Sequence, residues 1–152
     1  MDGPAAYHLA QFNISTLRQP LDHPLLADFV AGLEEINGLA DRSEGFVWRL
    51  QTDAGDLTAV RPYDDPEVIV NLSVWTSLDA LRAFAYRSGH LTFLRRRAEW
   101  FVPMAGETVV AWWVPAGHRP DLVESKDRLA RLNASGPTPD AFSVRRPFPA
   151  PV

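Results

Sequence analysis

The sequence predicts an α+β protein: a ferredoxin-like βαββαβ domain followed by a C-terminal helix and an extended tail. Three observations predict it. Strand-type and helix-type hydrophobic periodicities follow one another in the order β, α, β, β, α, β. The chain has 152 residues, 46% of them hydrophobic and 22% charged, enough for one packed core and cramped for two. Pro137, Pro139, Pro147, Pro149 and Pro151 crowd the last stretch, which sets a tail at 136–152 apart from a domain at 1–135.

Residues 7–13 alternate, with Tyr7, Leu9, Gln11 and Asn13 on one face and His8, Ala10 and Phe12 on the other. Asp22 and Pro24 then supply an acidic flank and a helix-start proline. Leu26, Phe29, Val30, Leu33, Ile36 and Leu39 or Ala40 recur at helical spacing, giving an amphipathic helix stopped near Gly45. Residues 46–50 alternate as a strand with Phe46, Trp48 and Leu50 together on its buried face, and a polar loop containing Asp53 to Asp65 follows.

Residues 68–75 are β-rich with unlike faces: Val70, Leu72 and Val74 point one way, Ile69, Asn71, Ser73 and Trp75 the other. Thr76 with Asp79 three residues on has the form of a capping box, opening a helix through Leu78, Leu81, Phe84 and Ala85. Ser88-Gly89 interrupts it, and a second helical piece runs from His90 to about Trp100. Residues 107–114 form the last strand, sending Trp112 and Trp113 to opposite faces, and 119–133 close the domain as a helix carrying the only lysine, Lys126. Phe142 and Phe148 are the groups that would anchor the tail.

Composition removes several function classes. With 15 Lys+Arg against 19 Asp+Glu the formal charge is −4 and the pI about 5.5, which argues against nucleic acid or an anionic membrane as partner. Zero cysteines remove disulfides, thiolate zinc, iron–sulfur clusters and a cysteine nucleophile. The start of the chain has no signal-peptide pattern, and no apolar run approaches the ~18 residues of a membrane span, so the cytoplasm is the default location. His8, His23 and His118 show no metal-ligand spacing, and Asp64-Asp65 sits in a proline-flanked loop. The glycines make no phosphate loop, and no Gly-x-Ser-x-Gly elbow occurs. No metal or cofactor is expected.

On a helical wheel from His90, the apolar direction is set by Leu91, Leu94, Ala98 and Phe101, with Arg95, Arg96 and Glu99 mostly opposite. His90 and Arg97 fall on the shoulder, where long polar side chains either reach a cleft between helix and sheet or cap and snorkel at the domain edge. Asn71, Ser73 and Trp75 share one strand face. They either line that cleft, or Asn71 pairs with a neighbouring strand while Trp75 fills the core. A sheet with helices on one face leaves the other bare, and Val70, Leu72 and Val74 would lie on such a face and need a partner.

The stretches Tyr-His-Leu-Ala-Gln-Phe-Asn at 7–13, Gly-Phe-Val-Trp-Arg-Leu at 45–50, Asn-Leu-Ser-Val-Trp at 71–75, Tyr-Arg-Ser-Gly-His at 86–90, Arg-Arg-Arg-Ala-Glu-Trp-Phe at 95–101 and Trp-Trp-Val-Pro-Ala-Gly-His at 112–118 carry a resemblance. Over roughly residues 6–142 they resemble the domain-of-unknown-function family numbered 3291, within the dimeric α/β-barrel proteins. The resemblance implies a ferredoxin-like protomer whose open sheet face packs on a second copy in a homodimer, and it brings no established activity.

More distantly, the chain is similar to cofactor-independent antibiotic-biosynthesis monooxygenases, in which an Asn and a Trp four residues apart share a pocket with a Tyr and an Arg. Asn71 and Trp75 match that spacing, the Arg falls among Arg95, Arg96 and Arg97 with the wheel selecting Arg97, and the Tyr has only Tyr86 as a nearby substitute. The implied enzyme of secondary metabolism takes an apolar or polycyclic, polyketide-like phenol. His90, Arg97 and Asn71 would be catalytic, with Trp75, Ser73, Trp48, Tyr86, Phe93 and Trp100 around the substrate. His90 would remove the phenolic proton, and Arg97 and Asn71 would stabilise the charge that develops as O₂ is reduced. Three other readings stand beside it: a non-oxidative cyclase or isomerase, a haem-binding barrel using His90, and a non-catalytic ligand-binding or structural dimer.

Overall fold

The structure, a computed structural model, describes residues 6–50, 63, 65, 67–87 and 94–151. Strand β1 (Tyr7–Leu17) runs past the expected end at Asn13, carried by the β-branched Ile14 and Thr16. It is the central strand. Strand β3 (Val68–Trp75) pairs antiparallel along one side of it, from Leu9 opposite Trp75 to Thr16 opposite Val68. Strand β5 (Val109–Pro115) pairs along the other side, and the two-residue β4 (Phe101–Val102) meets β1 at Thr16 and Leu17. Strand β2 (Phe46–Arg49) closes the outer edge of β3. The order β2-β3-β1-β5, all antiparallel, is that of a ferredoxin-like sheet.

A 3₁₀ turn (Pro24–Leu26) opens the first helical segment, capped by His23, whose Nδ1 accepts from the Leu25 N–H at 3.0 Å. Helix α1 (Ala27–Asp41) follows. Helix α2 (Leu78–Arg87) is capped by Ser77, whose Oγ accepts from the Ala80 N–H at 3.1 Å, so the cap lies one residue beyond the expected Thr76. The continuous helix expected up to Trp100 is broken by a turn at Arg96, leaving α3 (Arg97–Trp100) as a single turn before the chain extends at Phe101. Helix α4 (Leu122–Ser135) is capped by Asp121, which accepts from the Glu124 N–H at 2.8 Å. No helix among the described residues is long and apolar enough to cross a membrane.

The two sheet faces take different covers. Ala10, Phe12, Val70, Leu72, Val74, Val110, Trp112 and Val114 form one face and are buried with Leu129 and Leu132 of α4. This is the face expected to be bare; the expectation fails because the chain lays its own C-terminal helix over it. The opposite face buries Leu9, Trp75 and Ala111 with Ala40 of α1, Leu81 of α2 and Phe142 of the tail.

Strand β2 crosses between these clusters. Its register slips between Phe46, opposite Trp75, and Trp48, opposite Val74. A bulge of this kind reverses the alternation, so Phe46 packs with Trp75 whereas Trp48 and Leu50 pack with the α4-covered cluster. The three do not share a face. Gly45, at φ 82°, brings the chain into β2 against α2, where a Cβ would collide with the Ala80 side chain.

The residues after Gly136 lie along the edge of β5. Ala111 and Phe142 exchange both backbone hydrogen bonds, at 2.8 and 2.9 Å, and the Trp113 indole N–H donates to the Phe148 carbonyl at 2.8 Å. Arg82 of α2 holds the same segment by donating to the Val144 carbonyl at 2.6 Å.

Candidate active site

The Trp75 face is polar at its centre. Cross-strand register sets Gln11 opposite Ser73 and Asn13 opposite Asn71, so four polar side chains form a square on β1 and β3. Polar groups in such a place are costly unless hydrogen-bonded, and these satisfy one another in part. Gln11 Nε2 donates to Asn71 Oδ1 at 2.6 Å and to Ser73 Oγ at 2.9 Å, and Asn13 Nδ2 donates to Gln11 Oε1 at 2.9 Å. The Trp75 indole N–H donates to Ser73 Oγ at 2.9 Å.

Above the square lies a cavity of about 630 Å³, bounded by α2, α3 and β4, with an adjoining lobe of about 200 Å³ reaching toward α1. Asn13, Asn71, Ser73, Trp75, Phe84 and Arg97 line both. Trp75, 1% exposed, forms an apolar wall by stacking on Phe84 with ring centroids 5.2 Å apart and meeting Phe46 edge-on at 5.5 Å. The volume and the mixture of apolar walls with a few convergent polar groups suit a small organic ligand.

The arginines around the cavity differ in their partners. Arg96 binds Glu99 and Asp28 at 2.9–3.0 Å, and its guanidinium lies 4.9 Å from the Trp100 ring centroid. The hydrogen bonds it donates to Glu99 and Asp28 raise its pKa above the ordinary arginine value, and the bond from Arg96 holds Glu99 below the usual carboxylate range. Arg49, in the smaller lobe, pairs with Asp41 at 2.8 Å, and Arg18 donates to the Ala98 carbonyl at 2.9 Å. The Arg97 guanidinium has no hydrogen-bond or ion-pair partner among the described residues; only its carbonyl is engaged, by the Phe101 N–H. It stands at the cavity wall.

Among the residues expected at the site, Asn71, Ser73, Trp75 and Arg97 come together in the cavity. Tyr86 borders it, 52% exposed, and Trp100 is buried against the smaller lobe. Trp48 is a correction: the β2 bulge turns it to the opposite sheet face, under the Arg119 guanidinium at 5.7 Å. His90 and Phe93 lie outside the described residues. Gln11, Asn13 and Arg18 are lining residues that the sequence reading left out. For Gln11 and Asn13 a signal existed: they interrupt an apolar strand on alternate positions, as Asn71 and Ser73 do, and pairing the two strands antiparallel brings the four together. Among the described residues, no group of three or more His, Asp or Glu could hold a metal ion.

The family model described as "Domain of unknown function (DUF3291)" matches residues 8–152. No curated protein matches the sequence. Among solved structures, the chain is similar to SnoaB, a cofactor-independent oxygenase from Streptomyces nogalater, at 20% identity and TM-score 0.49, covering 76% of this chain and 100% of that one. It is also similar to a candidate antibiotic biosynthesis monooxygenase from Nitrosomonas europaea, at 13% identity and TM-score 0.48, over 80% of this chain and 100% of the other. A conserved protein from Methanosarcina mazei is 12% identical at TM-score 0.48, over 72% of this chain and 93% of the other. Likeness at this level does not carry an activity from one chain to another.

Proposed function

The chain belongs to the domain-of-unknown-function family DUF3291, which assigns it no activity, and we propose from its cavity that it oxidises a small phenolic substrate with O₂. The observation that carries the reading is the meeting, in one cavity of about 630 Å³, of an aromatic wall, an amide and hydroxyl floor and the Arg97 guanidinium, which has no side-chain partner among the described residues. Phe84, backed by the buried Trp75 ring, offers an apolar surface to an aromatic ring. Arg97 favours the ionised form of a phenol, because an opposite charge nearby lowers the pKa of an acid. The Asn71 amide stabilises the same oxygen as negative charge develops on it.

A phenolate held in this way is electron-rich at its ring carbons, which lets it reduce O₂ directly. In the balanced reaction a phenol and one O₂ give a quinone and one water: the ring carbon loses hydrogen and gains one oxygen atom, the phenolic hydrogen is lost, and the second oxygen atom leaves as water. The base that takes the phenolic proton is assigned to His90, on the sequence argument alone.

The test is oxygen consumption by the purified protein with a polycyclic phenol after exhaustive chelation and dialysis. We expect one O₂ per quinone formed. Arg97→Ala and Asn71→Ala should each lower kcat by about 10²-fold, the usual effect of removing one charge-stabilising donor, and His90→Ala should shift the pH profile. Turnover without O₂ would move the assignment to a non-oxidative cyclase or isomerase. A Soret band on haem addition, lost in His90→Ala, would move it to a haem protein. Oxygen uptake indifferent to all three substitutions would overturn it.

A further inference from the structure

We propose that Gln11 is a positioning residue that fixes the hydrogen-bonding polarity of the cavity floor and thereby selects ligands bearing accepting oxygens. The inference rests on the cavity being the ligand site, as proposed above, but not on the reaction performed there. Gln11 is 5% exposed, and its amide is spent inside the protein: Nε2 donates to Asn71 Oδ1 and Ser73 Oγ, and Oε1 accepts from Asn13 Nδ2. Each of these bonds decides what the partner shows to the cavity.

Asn71, with its carbonyl oxygen engaged, is left with Nδ2, which has no partner among the described residues. Asn13 uses Nδ2 on Gln11 Oε1 and, at 3.5 Å, on Asn71 Oδ1, and so is left with its carbonyl oxygen. Ser73 Oγ accepts twice, from Gln11 and from the Trp75 indole, which can only donate. With both lone pairs taken, the Ser73 hydroxyl has only its hydrogen to offer. The floor therefore presents a donor at Asn71, a donor at Ser73 and an acceptor at Asn13. Asn71 and Ser73 are two residues apart on β3, about 7 Å along the strand, which suits accepting oxygens on opposite sides of one ring. A ligand that places a donor against either of them leaves both groups unmet, and an unmet buried donor costs more than a made bond contributes.

The experiment measures calorimetric binding of two flat probes of similar shape, 1,4-naphthoquinone, which only accepts, and naphthalene-1,4-diamine, whose amines donate. The native protein should bind the quinone at least about tenfold more tightly, the worth of one hydrogen bond. In Gln11→Glu, a near-isosteric change, an ionised carboxylate can only accept. Asn71 must then turn Nδ2 inward and show Oδ1 to the cavity, and Ser73 must donate inward, so the preference should reverse. In Gln11→Met, which keeps the volume and removes the polarity, the two affinities should converge. A merely structural Gln11 would change both affinities together, and that result overturns the inference while leaving the cavity as the ligand site. Binding of neither probe to the native protein overturns the cavity reading and this inference with it.

Discussion

Arg96 and Arg97 are neighbours in sequence with opposite situations. Arg96 is held by Glu99 and Asp28, whereas Arg97 borders the cavity with no side-chain partner among the described residues. Truncating it breaks no side-chain bond among the described residues, so Arg97→Ala should change unfolding free energy by no more than about 0.5 kcal/mol while weakening a phenolic ligand. Urea unfolding and a binding titration on the same preparation separate the two effects, and a large loss of stability would place Arg97 in the scaffold instead. A second residue-scale prediction concerns Tyr63, which packs against the α4-covered cluster with Lys126 Nζ 4.5 Å from its ring centroid. Burial pushes its phenol above the ordinary value of 10.0. The folded state then keeps a proton that the unfolded chain has lost, so this contribution to stability is whole below about pH 10 and declines as pH rises toward the folded pKa. Tyr63→Phe should flatten the alkaline decline of the urea midpoint, and an identical decline in both proteins would refute the sign.

At the scale of elements, what the sequence made legible depended on whether a local rule stayed local. Residues 68–75 formed the expected strand because their alternation meets no irregularity, and the same alternation exposed Asn71, Ser73 and Trp75 as one face. In β2 the alternation was just as plain, yet a one-residue slip sends Phe46 and Trp48 to different faces. Nothing in Phe-Val-Trp-Arg marks that bulge, because it is set by pairing with β3. The turn at Arg96 is similar: charge and apolar spacing continued smoothly through a break that the packing of Trp100 against Phe29 and Leu26 accompanies. Trp48→Leu should accordingly lower stability and leave ligand affinity within about twofold, since the residue packs on the face away from the cavity. A lost affinity would bring Trp48 back to the site. The helix cap gives a finer test: Ser77→Ala should cost about 1 kcal/mol, and Thr76→Ala less than about 0.5 kcal/mol, by chemical denaturation. Equal costs would mean that the Ser77 bond does not decide where α2 begins.

For the molecule as a whole, the C-terminal residues act on both faces of the sheet. Helix α4 covers the face that a four-stranded sheet alone would leave to a partner, and the segment after Gly136 covers the edge of β5 and part of the Trp75 face. An open edge presents unpaired N–H and C=O groups to other chains, and here Phe142 occupies that edge with two backbone bonds to Ala111 while its ring is fully buried. The same segment carries Val144, which lines the main lobe of the cavity and whose carbonyl is held by Arg82. Deleting residues 137–152 would therefore strip the β5 edge, leave the Trp113 N–H without its acceptor and open one wall of the cavity in a single step. The truncated chain should melt more than about 5 °C lower, since each lost kcal/mol moves the midpoint by several degrees in a domain of this size. It should also self-associate through the exposed edge, seen as a concentration-dependent mass in sedimentation, and lose affinity for any ligand of the main lobe. A truncated protein that kept the full-length chain's mass in sedimentation and its melting temperature would mean that the sheet and α4 suffice without the tail. Unchanged binding alone would confine the tail to the edge and take Val144 out of the working cavity.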